Sequence, residues 1–90
     1  RSAAATYANR GVRVNAVAPG LTETPLSQPI VGSEQGRKIS ESMHPLGRIG
    51  KPDDIVEAIA WLLSERSSWV TGQVISIDGG IGALRQRPKA

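Results

Sequence analysis

Apolar positions crowd into three stretches of the chain, and a long polar excursion separates the first from the second. In the first, Val12, Val14, Ala16, Val17 and Ala18 lie between Gly11 and Pro19. β-Branched and small residues of this kind suit a strand. Val17 and Ala18 fall on opposite faces, so the strand over residues 12–18 is expected to be covered on both sides, as in a parallel sheet between helices. Pro19 has no backbone donor and cannot continue a central strand. Gly20 permits a turn or the close approach of a ligand. In the second stretch, Ile55, Ile59, Leu62 and Leu63 recur at i, i+4, i+7 and i+8, which predicts a helix over residues 52–63 with that stripe facing the core. Pro52 suits its first turn, and Asp53 and Asp54 suit the positive end of its dipole. Burial of the stripe would make Ile59→Asp ruinous. In the third, Val74, Ile75 and Ile77 predict a strand over residues 73–77 that Asp78-Gly79-Gly80 breaks. Strand, helix and strand form a βαβ unit, whose strands are parallel and joined by a right-handed crossover. Two such strands leave faces and edges that need further chain to cover them.

The remaining segments are less patterned. Residues 1–9 are alanine-rich and read as the end of a helix, with Gly11 just past it. No capping residue starts that helix, so the chain is expected to open inside an element, as a fragment would. Pro25, Pro29, Gly32 and Gly36 mark a loop, and a short helix is expected from about residue 33 to Met43, with Ile39 and Met43 on one side. Residues 25–45 form a long excursion, which reads either as a lid over the Pro-Gly loop or as a disordered connector. The next segment, Pro45-Leu46-Gly47-Arg48-Ile49-Gly50, is a tight turn in which Arg48 is expected to pair with a carboxylate or a carbonyl.

Size and composition narrow the field. Ninety residues make at most one small domain. No run of 18 apolar residues is present, so no membrane span is expected. With no cysteine there is no disulfide or thiolate metal site. His44 is the only histidine and has no second ligand at metal spacing, so no metal site is expected. No secretory pattern opens the chain, which points to a cytoplasmic protein. The net charge of +3 belongs to the basic tail, residues 83–90, which carries Arg85, Arg87 and Lys89. A neutral body with a basic tail argues against nucleic acid as a partner, because a nucleic-acid footprint gathers basic residues along a folded face. Tyr7 lacks a lysine one turn later, since position 11 is glycine and Arg10 is the nearest cation. It reads as a packing or surface residue.

Taken in order, these segments resemble the C-terminal part of the short-chain dehydrogenase/reductase family. The matching motifs are Gly11-Val12-Arg13-Val14-Asn15-Ala16-Val17-Ala18-Pro19-Gly20, then Thr24, then Pro45-Leu46-Gly47-Arg48-Ile49-Gly50-Lys51-Pro52-Asp53-Asp54-Ile55, and finally Thr71-Gly72-Gln73-Val74-Ile75-Ser76-Ile77-Asp78-Gly79-Gly80. The resemblance implies an α/β fold, a C-terminal fragment of a Rossmann-like doubly wound parallel sheet, over residues 1–82. It also implies NAD or NADP as cofactor, and hydride transfer to or from a small-molecule alcohol or carbonyl substrate. On that resemblance Pro19, Gly20, Leu21, Thr22 and Thr24 would bind the nicotinamide end, Thr22 through its main chain where the family usually has Ile or Val. Leu26, Ile30 and Met43 would line the substrate pocket. The family's phosphate loop, catalytic serine and Tyr-x-x-x-Lys motif have no counterpart here, so no catalytic residue is assigned and the segment alone is expected to be inactive. A homo-oligomer is implied as well. The alternative is a non-catalytic, self-associating interaction module. Absence of cofactor affinity in the isolated chain would favour that alternative.

Overall fold

The computed structural model describes residues 2–84. Helix α1 (Ser2–Tyr7) runs into a 3-10 turn (Ala8–Arg10) and stops at Gly11, whose left-handed backbone (φ 74°) lets its N–H cap Ala8 O at 3.0 Å. The first strand, β1 (Ala16–Pro19), follows. A 3-10 turn (Pro25–Ser27) then leads into two helices, α2 (Gln28–Val31) and α3 (Glu34–Met43). Helix α4 (Pro52–Leu63) and a 3-10 turn (Glu65–Ser67) return the chain to β2 (Val74–Ile77). The two strands are parallel, with Ala16 opposite Val74 and Pro19 opposite Ile77. α4 packs across both strands, which completes the expected βαβ unit.

Three expectations are corrected. β1 is shorter than residues 12–18 and ends on Pro19 rather than before it. Its missing donor costs nothing, because the neighbouring Gly20 N–H supplies the bond to Ile77 O at 2.9 Å. Upstream, side chains take over the ladder. Val14 N–H donates to Thr71 Oγ1 at 3.1 Å, and Gln73 N–H donates to Asn15 Oδ1 at 3.1 Å. Second, among the described residues the sheet is covered on one face only. Val17, Ile75 and Ile77 are half-buried, and they alternate with exposed Ala16, Ala18, Val74 and Ser76. Third, the core-facing stripe of α4 is Ile55, Ala58 and Leu62, whereas Ile59 is exposed and Leu63 is 81% exposed. Val56, Ala60 and Trp61 are exposed too. A helix that is apolar on nearly every side has no unique stripe for its period to select. Ile59 is 39% exposed and so only partly covered within the described residues, and Ile59→Asp costs less there than burial of a whole stripe would imply.

Arg13 ties the unit together. Its Nη2 donates to Leu62 O at 3.0 Å and Ser64 O at 3.1 Å, and its Nη1 donates to Val70 O and Ser67 Oγ, both at 3.1 Å. The first two acceptors are carbonyls at the end of α4, which no longer have partners within the helix. The cation also lies at the negative end of the helix dipole. Ser67, fully buried, lies 2.9 Å from Trp61 O and 3.0 Å from Leu62 O and so packs the same helix end. Arg13→Ala should lower the unfolding free energy by about 2–4 kcal/mol, because it strands several part-buried acceptors. Arg13→Lys should recover less than half of that loss, since an ammonium cannot reproduce the fork. Urea denaturation of the three proteins measures both effects.

Candidate functional site

The loop over residues 19–24 leaves the carboxyl end of β1, where ligands sit in open α/β sheets. It is held on two sides. Toward α4, Gly50 N–H donates to Leu21 O at 2.9 Å and Glu23 N–H donates to Gly50 O at 2.8 Å, a parallel bridge with Thr22 opposite Gly50. Toward α2, Ser27 Oγ donates to Thr22 O at 2.7 Å and accepts from Thr24 N–H at 3.0 Å. Thr22 Oγ1 donates back to Gly20 O at 3.1 Å. With the Gly20 N–H bonded to Ile77 O, the donors of Gly20, Glu23 and Thr24 are all occupied. Among the described residues the backbone N–H groups of Leu21 and Thr22 have no acceptor.

Gly20 is needed for a reason different from ligand approach. A Cβ built on it would lie 2.6 Å from Asp78 Cβ and 2.9 Å from Asp78 Cα. The end of β2 fills the space a side chain would take. Asp78 in turn accepts from Gly80 N–H at 2.9 Å and Gly82 N–H at 3.2 Å, which folds the final turn back beside the loop. That turn extends past residue 82, since Leu84 N–H donates to Gly80 O at 2.9 Å. The three basic residues of the tail lie outside the described residues.

The loop rests on a charged clamp. Arg48 Nη1 and Nη2 donate to Asp54 Oδ2 at 2.8 Å and Oδ1 at 3.0 Å, and Lys51 N–H donates to Asp54 Oδ2 at 2.7 Å. Arg48 thus pairs with a carboxylate, as its place in a tight turn suggested, and Nη1 also reaches Ile49 O at 3.2 Å. The fork joins the turn before α4 to that helix's first residues, and Gly50, inside the turn, carries the bridge to the loop. The Arg48 guanidinium, and then the Lys51 N–H, hold the Asp54 carboxyl down at about 2, below its ordinary 3.8.

The predicted site residues do not converge on one cavity. Pro19, Gly20, Leu21, Thr22 and Thr24 are contiguous at the sheet end. Leu26 is 92% exposed, and Ile30 and Met43 are about half exposed, all three in or beside the hairpin of α2 and α3. A 600 Å³ cavity at this end is lined by Leu21, Leu46, Arg48, Ile55, Ile77 and Leu84, among others, and by neither Thr22 nor Thr24. His44, read only as an unlikely metal ligand, is 3% exposed. Its Nδ1 lies 2.6 Å from Ser40 O, and its ring packs on Gly79, while Nε2 is buried without a partner among the described residues. Among those residues no three acidic or histidine side chains gather as a metal site. No helix among them is long and apolar enough to cross a membrane. Tyr7 is exposed, with the Arg10 guanidinium 5.8 Å from its ring centre. Sequence reasoning missed Ser27, Glu23 and Arg37, whose side-chain contacts span 3 to 14 residues and follow no period.

A parallel βαβ unit with a bridged Pro-Gly loop at its carboxyl end defines part of an open α/β fold, whose ligands sit at that end of the sheet. Comparison with known proteins narrows this. A family model described as "Enoyl-(Acyl carrier protein) reductase" matches residues 1–82. The chain is 51% identical over 74 residues to 3-oxoacyl-[acyl-carrier-protein] reductase FabG of Thermotoga maritima, a match covering 82% of this chain and 29% of that protein. Its structure is similar to 4-hydroxyisoleucine dehydrogenase complexed with NADH, with TM-score 0.85 and 30% identity, over 93% of this chain and 35% of that one. It is also similar to ElxO with NADP bound, with TM-score 0.81 and 34% identity, over 92% and 34%. The chain belongs to the short-chain dehydrogenase/reductase family. It spans about a third of the length of the curated relatives it matches.

The clamp gives the site a defined acid response. Asp54 is lowered in the fold relative to the unfolded chain, so its stabilising contribution is fully present above about pH 4 and is lost as pH falls through 2. Titration of the Asp54 carboxyl carbon by NMR should show a midpoint near 2, and Arg48→Gln should move it up toward 3.8.

Proposed function

We propose that this chain is the nicotinamide-side and substrate-loop portion of an NAD(P)-dependent oxidoreductase, which transfers a hydride between the cofactor and a small-molecule alcohol or carbonyl. The observation that carries the reading is the loop over residues 19–24. It sits at the carboxyl end of a parallel strand, bonds to Gly50 and Ser27 hold it on two sides, and two adjacent backbone donors, Leu21 N–H and Thr22 N–H, are spare among the described residues. A carboxamide offers an acceptor oxygen and an NH₂ donor. Thr22 N–H and the Thr24 hydroxyl fit it. When bound, the nicotinamide supplies the hydride chemistry. The residues of this chain orient the carboxamide, wall one side of the ring with Pro19 and Gly20, and line the substrate side with Leu26, Ile30 and Met43. The proton donor and acceptor of the reaction belong to the rest of the domain, so the 90 residues by themselves transfer no hydride. The NADH- and NADP-bound relatives support the cofactor class. The whole protein is read, from the family resemblance alone, as a homo-oligomer in the cytoplasm.

The alternative, a self-associating module, is favoured by one observation. Trp69 is 98% exposed and Leu63 81% exposed, and the sheet face that carries Ala16, Ala18, Val74 and Ser76 is uncovered among the described residues. It predicts a concentration-dependent oligomer with no affinity for either cofactor, which sedimentation and titration with NADH and NADPH separate from the first reading.

In the full-length protein that carries this segment, Thr24→Val should weaken NADH or NADPH binding by about 2- to 10-fold, the cost of one hydrogen bond. Thr24→Ser, which keeps the hydroxyl, should bind like the parent. Fluorescence titration measures both, and equal loss in the two variants would contradict a hydroxyl contact.

A further inference from the structure

The segment after the loop is a tight helical hairpin rather than an open connector. α2 and α3 meet so closely at Gly36 that a Cβ there would lie 2.1 Å from Ile30 O. Val31, at the end of α2, is fully buried. α3 packs on α2 and on no other element among those described. The hairpin therefore depends on a few ties to the body. At its start is the Ser27 hydroxyl, bonded to Thr22 O and Thr24 N–H. At its end is His44, buried against Gly79, followed by Leu46 N–H donating to Gly79 O at 3.1 Å. Between them α3 sends one side chain back to the loop: Arg37 Nη2 contacts Glu23 Oε2. Glu23 is itself fixed from the opposite side, because its N–H is bonded to Gly50 O. Its backbone belongs to the rigid floor and its side chain to the hairpin.

We propose that the Glu23–Arg37 ion pair is a latch that holds the α2–α3 hairpin against the nicotinamide loop and slows escape of the bound cofactor. This rests on the nicotinamide-loop reading. Both residues are positioning residues, since they act through the hairpin. The pair is about two-fifths exposed, with side-chain accessibilities of 36% and 41%, so its strength is that of a surface pair. Such a pair shifts an open–closed equilibrium by roughly 2- to 5-fold. It should also weaken with salt, because the screening length falls from about 8 Å at 0.15 M to about 3 Å at 1 M. The other ion pair of α3, Lys38 with Glu34, lies within the helix and is far more exposed, which makes it an internal control.

The test uses the full-length protein. Amide hydrogen exchange over residues 34–43 reports hairpin opening, and stopped-flow fluorescence reports NADH or NADPH dissociation. Glu23→Gln and Arg37→Gln should each speed both by about 2- to 5-fold and reduce the salt dependence of dissociation, leaving only the part due to the cofactor's own phosphates. The reversed pair, Glu23→Arg with Arg37→Glu, should restore the parent values, a rescue that loss of packing alone would not give. Lys38→Gln should match the parent. Unchanged exchange in Arg37→Gln, or a reversed pair no better than the worse single variant, overturns the latch. Faster exchange with unchanged dissociation overturns its action on the cofactor. A parent protein that binds neither cofactor overturns the functional reading, and the exchange measurements then decide the latch alone.

Discussion

Two arginines bracket α4, and the geometry of the loop depends on that helix staying in place. At the helix's end, Arg13 gathers the carbonyls of Leu62, Ser64 and Val70. At its start, Arg48 grips Asp54 while Asp54 caps Lys51 N–H. The two clamps stand about 18 Å apart along the helix. Each meets a need that the helix cannot meet alone: orphaned carbonyls at one terminus, and at the other a turn that must be joined to the first helical residues. Arg13 precedes β1 directly, so it fixes strand to helix. Arg48 precedes Gly50, whose backbone bridges the loop at Leu21 and Glu23. The sheet end, the loop and the helix therefore share one frame.

Within that frame the loop's own residues are mostly occupied with structure. Gly20 makes room for Asp78, Ser27 knots Thr22 to Thr24, and Glu23 reaches both ways. What remains free of such duties among the described residues is small: the Leu21 and Thr22 amides and the outward face of Pro19. A site made of spare backbone donors on a rigid turn tolerates variation in its side chains. On the proposed reading the cofactor contact at position 22 is made by the main chain, so the threonine side chain does not count against it.

Much of the frame was legible in the sequence, because local signals agreed with the fold. The Pro-Gly break, the Pro52-Asp53-Asp54 helix start, Gly11 beyond α1 and the Asp78-Gly79-Gly80 stop each rest on backbone rules that act within a few residues. The buried stripe of α4 was not legible, since a helix with apolar residues at Val56, Ile59, Trp61 and Leu63 as well as Ile55 and Leu62 offers several stripes. The four-residue length of β1 was also hidden, because Asn15 and Thr71 imitate ladder bonds from side chains 55 or more residues apart. The hairpin's contacts were out of reach for the same reason. Ion pairs such as Glu23 with Arg37 and a buried ring such as His44 are tertiary facts without a periodic trace.

The central claim, that the loop over residues 19–24 holds the nicotinamide end of a cofactor, is tested most directly by NMR on the full-length protein with labelled backbone amides. The account predicts that NADH or NADPH shifts the Thr22 amide strongly and Thr24 next, while the Val14 and Gly72 amides at the opposite end of the strands stay in place. Cofactor binding that leaves the Thr22 amide unmoved would contradict it.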